Sequence, residues 1–392
     1  MSTTAAAGPL AGTRVIDLTN VLAGPYGSYQ LALLGAEVVK VELPGSGDLA
    51  RRLGADEALN RAQLGASFLA QNAGKKSVEI DLKTEHGREQ LTRLLRESDV
   101  LFENFRPGVL ARLGFSWERL QEINAGLVYC AISGFGQSGP MRDRPAYDQI
   151  IQGLSGIMSV TGTDETGPLR AGFPVCDTLG GLAAALAISA ALAGRARTGR
   201  GCQIDVSLLE VAISAMGWVV SNFLVTGVEP GRMANENFTA APSGTFEAAD
   251  GLLNIAANQQ SQFEALCRVL GRPNLAVDPR FLTAASRKGK RADLKREVDA
   301  ALRTRPAADW EELLNTAGVP AARVLDVPAA LRLEQLRERQ FFHGLPLPDD
   351  PERCLTVVGS GVHFDGAPLR AAFPPPLLGQ HTAELLGETS PA

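Results

Sequence analysis

This sequence predicts an α/β fold: a large Rossmann-like domain built on a parallel sheet and split by a smaller domain. Three observations carry that reading. Short apolar runs alternate with helical patterns from Arg14 to Ser133, the alternation stops after Arg200, and the tail from Val319 returns to short strands and Pro-rich loops. Strand and helix in alternation imply a parallel sheet, because each crossover helix buries its apolar stripe against the strands.

Val15–Leu18 and Glu37–Glu42 read as the first two strands, with a helix between them that ends near Gly35. Ser77–Ile80, Val100–Phe102 and Leu127–Ile132 read as further strands. Thr84–Arg96, with Leu91, Leu94 and Leu95, and Trp117–Ile123 have helical periodicity. Thr178–Gly194, rich in Ala, Gly and Leu, predicts a buried helix. It falls short of the roughly 20 residues that span a bilayer and is bracketed by Asp177 and Arg195. Ile204–Val225 predicts a long buried helix interrupted by Asp205 and Glu210, Glu229–Gly244 a domain crossing, and Gly251–Thr316 a compact, mainly helical unit. The expected division is 1–225 for the first part of the large domain, 226–325 for the small domain and 326–392 for the return.

The 392 residues are 45% hydrophobic and 21% charged, which excludes a disordered chain and permits a sizeable core. A net charge of -5 argues against nucleic-acid binding, which needs clustered Lys and Arg. Five scattered cysteines without a CxxC pattern argue against a disulfide framework or structural zinc and fit a reducing cytoplasm. Met1–Leu10 shows no basic stretch leading into an apolar core, so no secretory leader is read there. The expectation is a soluble, cytoplasmic protein with no membrane partner.

Gly134-Phe135-Gly136-Gln137-Ser138-Gly139 is a complete GxGxxG directly after a strand. In a dinucleotide site that loop follows the first strand and opens into a helix whose N-terminus holds the pyrophosphate. Here the strand comes late, and a loop with Pro140 and Pro145 delays any helix to about Tyr147. Gly45, Gly47 and Ala50 are no better placed, so a nicotinamide or flavin cofactor is not expected. The four histidines show no metal-ligand spacing and no GxSxG elbow exists. A carboxylate is the option left. Asp177 follows the apolar segment Ala171–Cys176 and directly precedes the Ala-rich helix. Asp is a favoured N-cap, and capping alone accounts for it. The same place would keep a nucleophile ionised, with backbone N–H groups at hand for an oxyanion. The residues alone leave both readings open.

The chain resembles the family III CoA-transferases, the group of formyl-CoA transferase, carnitine CoA-transferase and, as a divergent branch, α-methylacyl-CoA racemase. The resemblance runs from about Pro9 to Leu386. It is carried by Leu10-Ala11-Gly12-Thr13-Arg14-Val15-Ile16-Asp17-Leu18, Ala23-Gly24-Pro25, Leu34-Gly35-Ala36-Glu37-Val38-Val39-Lys40-Val41-Glu42, Glu103-Asn104-Phe105-Arg106-Pro107-Gly108, Ser133 to Pro140, Thr198-Gly199-Arg200-Gly201 and Leu378-Gly379-Gln380-His381-Thr382.

The resemblance implies that Asp177 is the nucleophile of a CoA-transferase working through mixed-anhydride and aspartyl-CoA thioester intermediates. It implies coenzyme A as substrate rather than a tightly bound cofactor, and an interlocked homodimer. By family position Ile80, Asp81, Leu82 and Lys83, then Glu103, Asn104 and Phe105, and Arg112 line the CoA site, with Arg106 and Arg144 as further candidates. Ala23, Leu22 and Leu43 are placed at the substrate. Leu22 stands where formyl-CoA transferases carry glutamine and Leu43 where they carry arginine. Ala240-Ala241-Pro242-Ser243-Gly244-Thr245 replaces their run of glycines, which puts Ser243 and Gly244 over the site and points away from formate and oxalate, toward succinate or another C4–C6 dicarboxylate. Tyr147 stands where the racemases carry histidine. With an ordinary pKa near 10 it is a poor base at neutral pH, and that favours transfer over racemisation. The alternatives are an α-methylacyl-CoA racemase or epimerase and a non-catalytic CoA-binding protein.

Overall fold

The computed structural model describes residues 8–387; Met1–Ala7, part of the stretch read as carrying no leader, lie outside them. Six parallel strands form the central sheet: β1 Arg14–Asp17, β2 Glu37–Glu42, β3 Lys75–Glu79, β4 Val100–Glu103, β5 Val128–Ser133 and β6 Gln203–Ser207. Their order is β3-β2-β1-β4-β5-β6. The chain winds outward from β1 in one direction, then returns to β4 on its other side. That reversal leaves a crevice beyond the C-terminal ends of β1 and β4, where doubly wound sheets bind ligands.

Helices cover both faces. On one side lie α1 (Ala23–Leu33) and α5 (Val175–Thr198); Val15, Val38, Phe102, Cys130 and Ile132 pack into a single core with Leu31, Ala184 and Ile188. On the other lie α2 (Glu85–Arg96) and α3 (Trp117–Ile123); Ile16, Val39, Leu101 and Ala131 meet Leu91, Leu95 and Leu120. The period-2 alternation of a strand buried on both faces explains the partition. Thr84 caps α2 by accepting the Gly87 amide at 3.0 Å.

Near β3 the α1-facing side of the sheet is ionic rather than apolar. Asp17, Lys40, Glu42, Asp48, Arg51 and Lys75 are all buried. Lys75 pairs with Asp17 at 3.2 Å, Lys40 with Asp48 at 2.9 Å, and Arg51 grips Glu42 through two 2.7 Å bonds. The Arg51 guanidinium also lies over the Phe68 ring, 3.7 Å from its centre, and donates to the Pro376 carbonyl. The C-terminal segment runs along β3: the His381 amide donates to Ser77 O, the Ser77 amide to His381 Nδ1, and the Glu79 amide to Thr382 Oγ1. Backbone groups that an edge strand would leave open are thereby occupied.

Two helical expectations change. Ile204–Val225 is β6 followed by α6 (Leu208–Ala215) and α7 (Trp218–Thr226), which meet at 79°. Ser207 ends the strand by accepting the Glu210 amide, and Gly217, at φ +47°, breaks the helix. Nor is the run buried throughout: Val206, Leu208 and Ala212 are buried, but α7 contributes no buried residue. The Thr178–Gly194 helix extends over Val175–Thr198 and is long and apolar enough to cross a membrane by length and composition. Only one stripe of it is buried (Cys176, Gly180, Gly181, Ala184, Ala185 and Ile188), while Leu182 and Leu186 are exposed.

The described residues divide into two compact units, the first of residues 8–159, 170–230 and 334–387, the second of 160–169 and 231–333. Residues 160–169, inside the 1–225 stretch of the sequence reading, cluster with the second unit. That unit holds an antiparallel sheet of β7 (Ser243–Glu247), β8 (Leu252–Ala256) and β9 (Ala321–Arg323). The helices α8 (Gln260–Val269), α9 (Arg291–Leu302) and α10 (Ala307–Thr316) close over it around Phe246, Ile255, Phe263, Leu266 and Trp310. Buried Arg287 donates to the carbonyls of Ala241 (3.0 Å) and Phe281 (3.0 Å), fixing the approach to β7.

Arg51→Ala leaves Glu42 buried without its cation and is expected to destabilise the protein by about 3–5 kcal/mol in urea unfolding. A loss below about 1 kcal/mol would show that water replaces the guanidinium.

Candidate active site

The β1–α1 connection, Leu18 to Leu22, lies at the crevice and is held in an unfavourable shape. Val21 has φ +69°, a left-handed conformation that a β-branched residue adopts at a cost of about 1–2 kcal/mol. Its amide donates to Asp48 Oδ1 (3.0 Å), and its carbonyl accepts from Gln71 Nε2 (2.8 Å). Asn104, at the end of β4, exchanges two 2.8 Å bonds with the Asn20 backbone and so ties the two sides of the crevice together. Lys40, gripping Asp48, also donates to the Thr19 carbonyl at 2.7 Å. Burial opposes its charge, but Asp48, Asp17 and Glu42 outweigh that and raise its pKa. Burial would likewise raise the Asp17 carboxyl, yet Lys75, Lys40, Ser28 and Thr19 bring it down to about 2.

This loop delivers Leu22 and Ala23 to the start of α1, and α1 lies hard against α5. A Cβ on Gly181 would come within 2.4 Å of the Ala23 carbonyl oxygen, and one on Gly27 within 2.7 Å of the Gly181 carbonyl. Only glycine permits that approach. Asp177 lies one turn before Gly181 and on the same face of α5, since residues four apart share a face. Leu22, Ala23 and Asp177 thus converge at one end of the α1–α5 seam.

Asp177 is not the N-cap. Pro174 is, without a side-chain cap, and Asp177 is the third helical residue. Nor are the first-turn amides open to an oxyanion. Cys176 and Asp177 donate theirs to Asp148 Oδ1, at 2.8 and 3.2 Å, Val175 to the Phe173 carbonyl, and Thr178 to the Pro174 carbonyl. Asp148 opens α4 (Asp148–Leu154) and is buried; Gln152, one turn on, donates to its Oδ2 at 2.6 Å and accepts the Ala171 amide at 2.8 Å. Among the described residues nothing donates to the Asp177 carboxylate. Burial, then the neighbouring Asp148 charge, push its pKa up from 3.8 to about 7. Burial holds the adjacent Cys176 thiol at about 12, so it stays protonated.

The other sequence candidates of the first unit lie along the same C-terminal edge of the sheet. Leu43 follows β2 and is exposed. Ile80 is buried after β3, and Asp81 closes the following turn by accepting the Lys83 amide at 2.9 Å; Leu82 is half-buried and Lys83 exposed. Glu103 is buried, accepting from the Phe105 amide and the Tyr129 hydroxyl (2.9 Å), and burial raises its pKa to about 7. Arg106, Arg112, Arg144 and Tyr147 are exposed. A Cβ on Gly108 would lie 3.2 Å from Arg112 Nη1 and 3.8 Å from Arg142 Nη2, so two guanidinium groups gather there. Ser243 and Gly244 begin β7 in the second unit. The GxGxxG segment is a tight turn: Gly136 donates to Ser133 Oγ, Gln137 to Asp205 Oδ2 (2.9 Å), and no helix starts before Asp148. No cluster of metal-ligating side chains occurs among the described residues.

Sequence reasoning does not single out Asp48, Gln71, Gln152, Arg142 or Asp148. The i,i+4 spacing of Asp148 and Gln152 on a short helix was a usable signal. Nothing local marks Asp48 or Gln71.

A doubly wound sheet with a crevice at its C-terminal edge, a poorly solvated carboxylate in the first turn of a crossover helix and two guanidinium groups on the same edge place this chain among α/β proteins with a ligand site at the switch point. The profile of CoA-transferase family III matches residues 10–382, and the chain belongs to that family. It is 40% identical over 348 residues to the acetyl-CoA:oxalate CoA-transferase of Acetobacter aceti, covering 88% of each chain. It is 36% identical to the succinate–glutarate CoA-transferase of Agrobacterium fabrum, over 97% of this chain and 95% of that one. A CaiB/BaiF family protein from Brucella suis superposes with a TM-score of 0.85 at 35% identity, over 97% and 99% of the two chains. Rv3272 from Mycobacterium tuberculosis does so with 0.84 at 31%, again over 97% and 99%. The protein is a CoA-transferase.

The raised Asp177 pKa carries a stability signature. The folded chain keeps this proton at pH values where the unfolded chain has lost it, so the fold loses stability as pH rises from about 4 to about 7. Asp177→Asn escapes that loss. It is expected to be more stable than the parent at pH 8 by on the order of 2 kcal/mol, discounted for the solvent-facing side of the carboxyl. The gap should close toward pH 4. Urea unfolding at pH 4.5 and pH 8 checks this, and equal differences at both would show an unshifted carboxyl.

Proposed function

We propose that the protein moves CoA from an acyl-CoA, with succinyl-CoA as the leading donor, to a dicarboxylate acceptor, with Asp177 as the covalent carrier. The observation that carries the reading is the Asp177 carboxylate itself. It is half-buried, receives no hydrogen bond from the described residues and lies one turn before Gly181, whose backbone meets Ala23 at the start of α1. A carboxylate so poorly solvated is a stronger nucleophile than one in water.

The Asp177 oxygen attacks the thioester carbonyl and the C–S bond breaks, leaving a mixed anhydride and CoA thiolate. The thiolate attacks the aspartyl carbonyl, its C–O bond to the acyl group breaks, and the donor acid leaves as carboxylate. The acceptor carboxylate then displaces thiolate from the aspartyl thioester. The thiolate attacks the acceptor carbonyl of the new anhydride, releasing acyl-CoA and restoring Asp177. No water or net proton is consumed, so thioester energy is retained provided water is excluded. Cys176, held protonated, does not divert the acyl group.

The Arg112 and Arg142 pair suits the phosphates of coenzyme A, and the Asn104–Phe105 turn suits its nucleotide end. Exposed Leu43 and half-buried Leu22 present apolar surface where a small acid would demand polar groups, which favours C4–C6 diacids. The glutarate, mesaconate and citramalate enzymes among the relatives agree with that range, and the Acetobacter relative keeps oxalate in the acceptor panel. CoA enters as substrate, with no tightly bound cofactor. The working form is a soluble cytoplasmic homodimer without nucleic-acid or membrane partners. The dimer alone draws support from the structure, in the apolar surface on α5 and α7, where Leu186, Leu224 and Val225 are each more than 70% exposed.

Incubation with succinyl-CoA followed by borohydride or hydroxylamine is expected to modify Asp177 in the parent and nothing in Asp177→Ala, whose turnover should fall roughly 10⁴-fold or more. An unmodified parent would overturn the nucleophile. Sedimentation at micromolar concentration is expected to give twice the chain mass, and a monomer would overturn the dimer.

A further inference from the structure

Asp148 is buried, charged and next to the reacting carboxylate, yet no step of the transfer uses it. Its Oδ1 takes the amides of Cys176 and Asp177, and its Oδ2 is held by Gln152. Pro174 gives α5 no side-chain cap, so the carboxylate from α4 supplies one through space. An acid at the third position of a helix is itself drawn to the free amides of that first turn. With Asp148 absent, the nearest carboxylate able to answer them is Asp177, which would fold back onto its own helix. Gln152 adds a second clamp: its Oε1 accepts the Ala171 amide, so the strand-like approach to α5 is fixed from the same short helix.

Resting on the nucleophile reading above, we propose that Asp148 is the positioning residue of the reaction, occupying the α5 amides so that Asp177 stays turned toward the substrate. Its charge has a second effect, opposing ionisation of Asp177 and so keeping it basic. The other titratable groups on elements packed against α5 are Tyr26 and Tyr29 on α1, Glu210 on α6, Tyr129 and Cys130 on β5 and Asp205 on β6. Of these and of the cations, none acts on the Asp177 carboxyl as Asp148 does.

The test uses Asp148→Asn, which keeps an acceptor for both amides but removes the charge, and Asp148→Ala, which removes both. Turnover with succinyl-CoA across pH 5–9, KM for the donor and single-turnover labelling of Asp177 are measured for each. For Asp148→Asn the acid limb of kcat is expected to move down by at least half a pH unit, with labelling slowed less than about tenfold. For Asp148→Ala the limb moves down further, as the freed amides stabilise the Asp177 anion. Labelling there slows about 100-fold with KM for succinyl-CoA within twofold, the size of loss that misplacing a reacting group produces. If Asp148→Ala does not fold, Asp148→Ser, whose hydroxyl is too short to hold both amides, is labelled in its place. Labelling of Asp177 unslowed in the folded variant that loses the amide acceptor overturns the proposal, as does a raised KM at unchanged kcat. If the parent itself is never labelled, the nucleophile reading falls and this proposal falls with it; labelling in the parent with unchanged variants sinks only the role of Asp148.

Discussion

Three carboxylates and three cations buried side by side, Asp17, Glu42 and Asp48 against Lys40, Arg51 and Lys75, hold the crevice half of this fold in place. Together they are neutral, which is the condition under which so many charges can leave water. Their hydrogen bonds run in several directions at once. Asp17 takes Ser28 of α1, Glu42 takes Ser77 of β3, and Arg51 reaches the Pro376 carbonyl. Segments more than 300 residues apart in sequence are thus fixed to the same three strands. An apolar core of equal volume would give comparable stability without fixing any backbone group in a particular place.

That placement is what the site requires. A left-handed valine at the head of α1 would relax if its amide and carbonyl were free, and both are held, by Asp48 and Gln71. Asp48 is in turn held by Lys40. The ionic cluster therefore pins the β1–α1 loop, the loop sets where α1 begins, and the bare glycines at 27 and 181 transmit that position to α5 across a backbone contact. Asp177 inherits its place from charges that lie on a different part of the sheet.

The parts of this fold legible in sequence are those where periodicity and burial agree. Glu37–Glu42 alternates, and its apolar face does pack on a helix; β4, α2 and α3 likewise follow their patterns. The same alternation does not reveal the ionic cluster: Lys40 and Glu42 are charged and on one face of the strand, and both are buried. Ile204–Val225 misled for a related reason: an unbroken apolar run does not say whether it is strand or helix, or whether it is covered. Asp177 was found by position and resemblance. Its true environment depends on Asp148, 29 residues earlier, and no local pattern encodes a cap supplied through space.

The first turn of α5 shows how such a site balances stability against reactivity. A helix start left bare would bind any nearby anion, and a nucleophile bound there would be quiet. Satisfying the amides with a second carboxylate removes that trap, but sets two acids side by side in a poorly solvated place, and the fold bears that cost in the raised pKa of the one left without donors. Asp148 has three donors and Asp177, among the described residues, has none, an asymmetry that fits the proposed division of one acid to the scaffold and the other to chemistry. On that reading, the number of donors on each of the two carboxylates at this helix start is what distinguishes the structural acid from the proposed nucleophile.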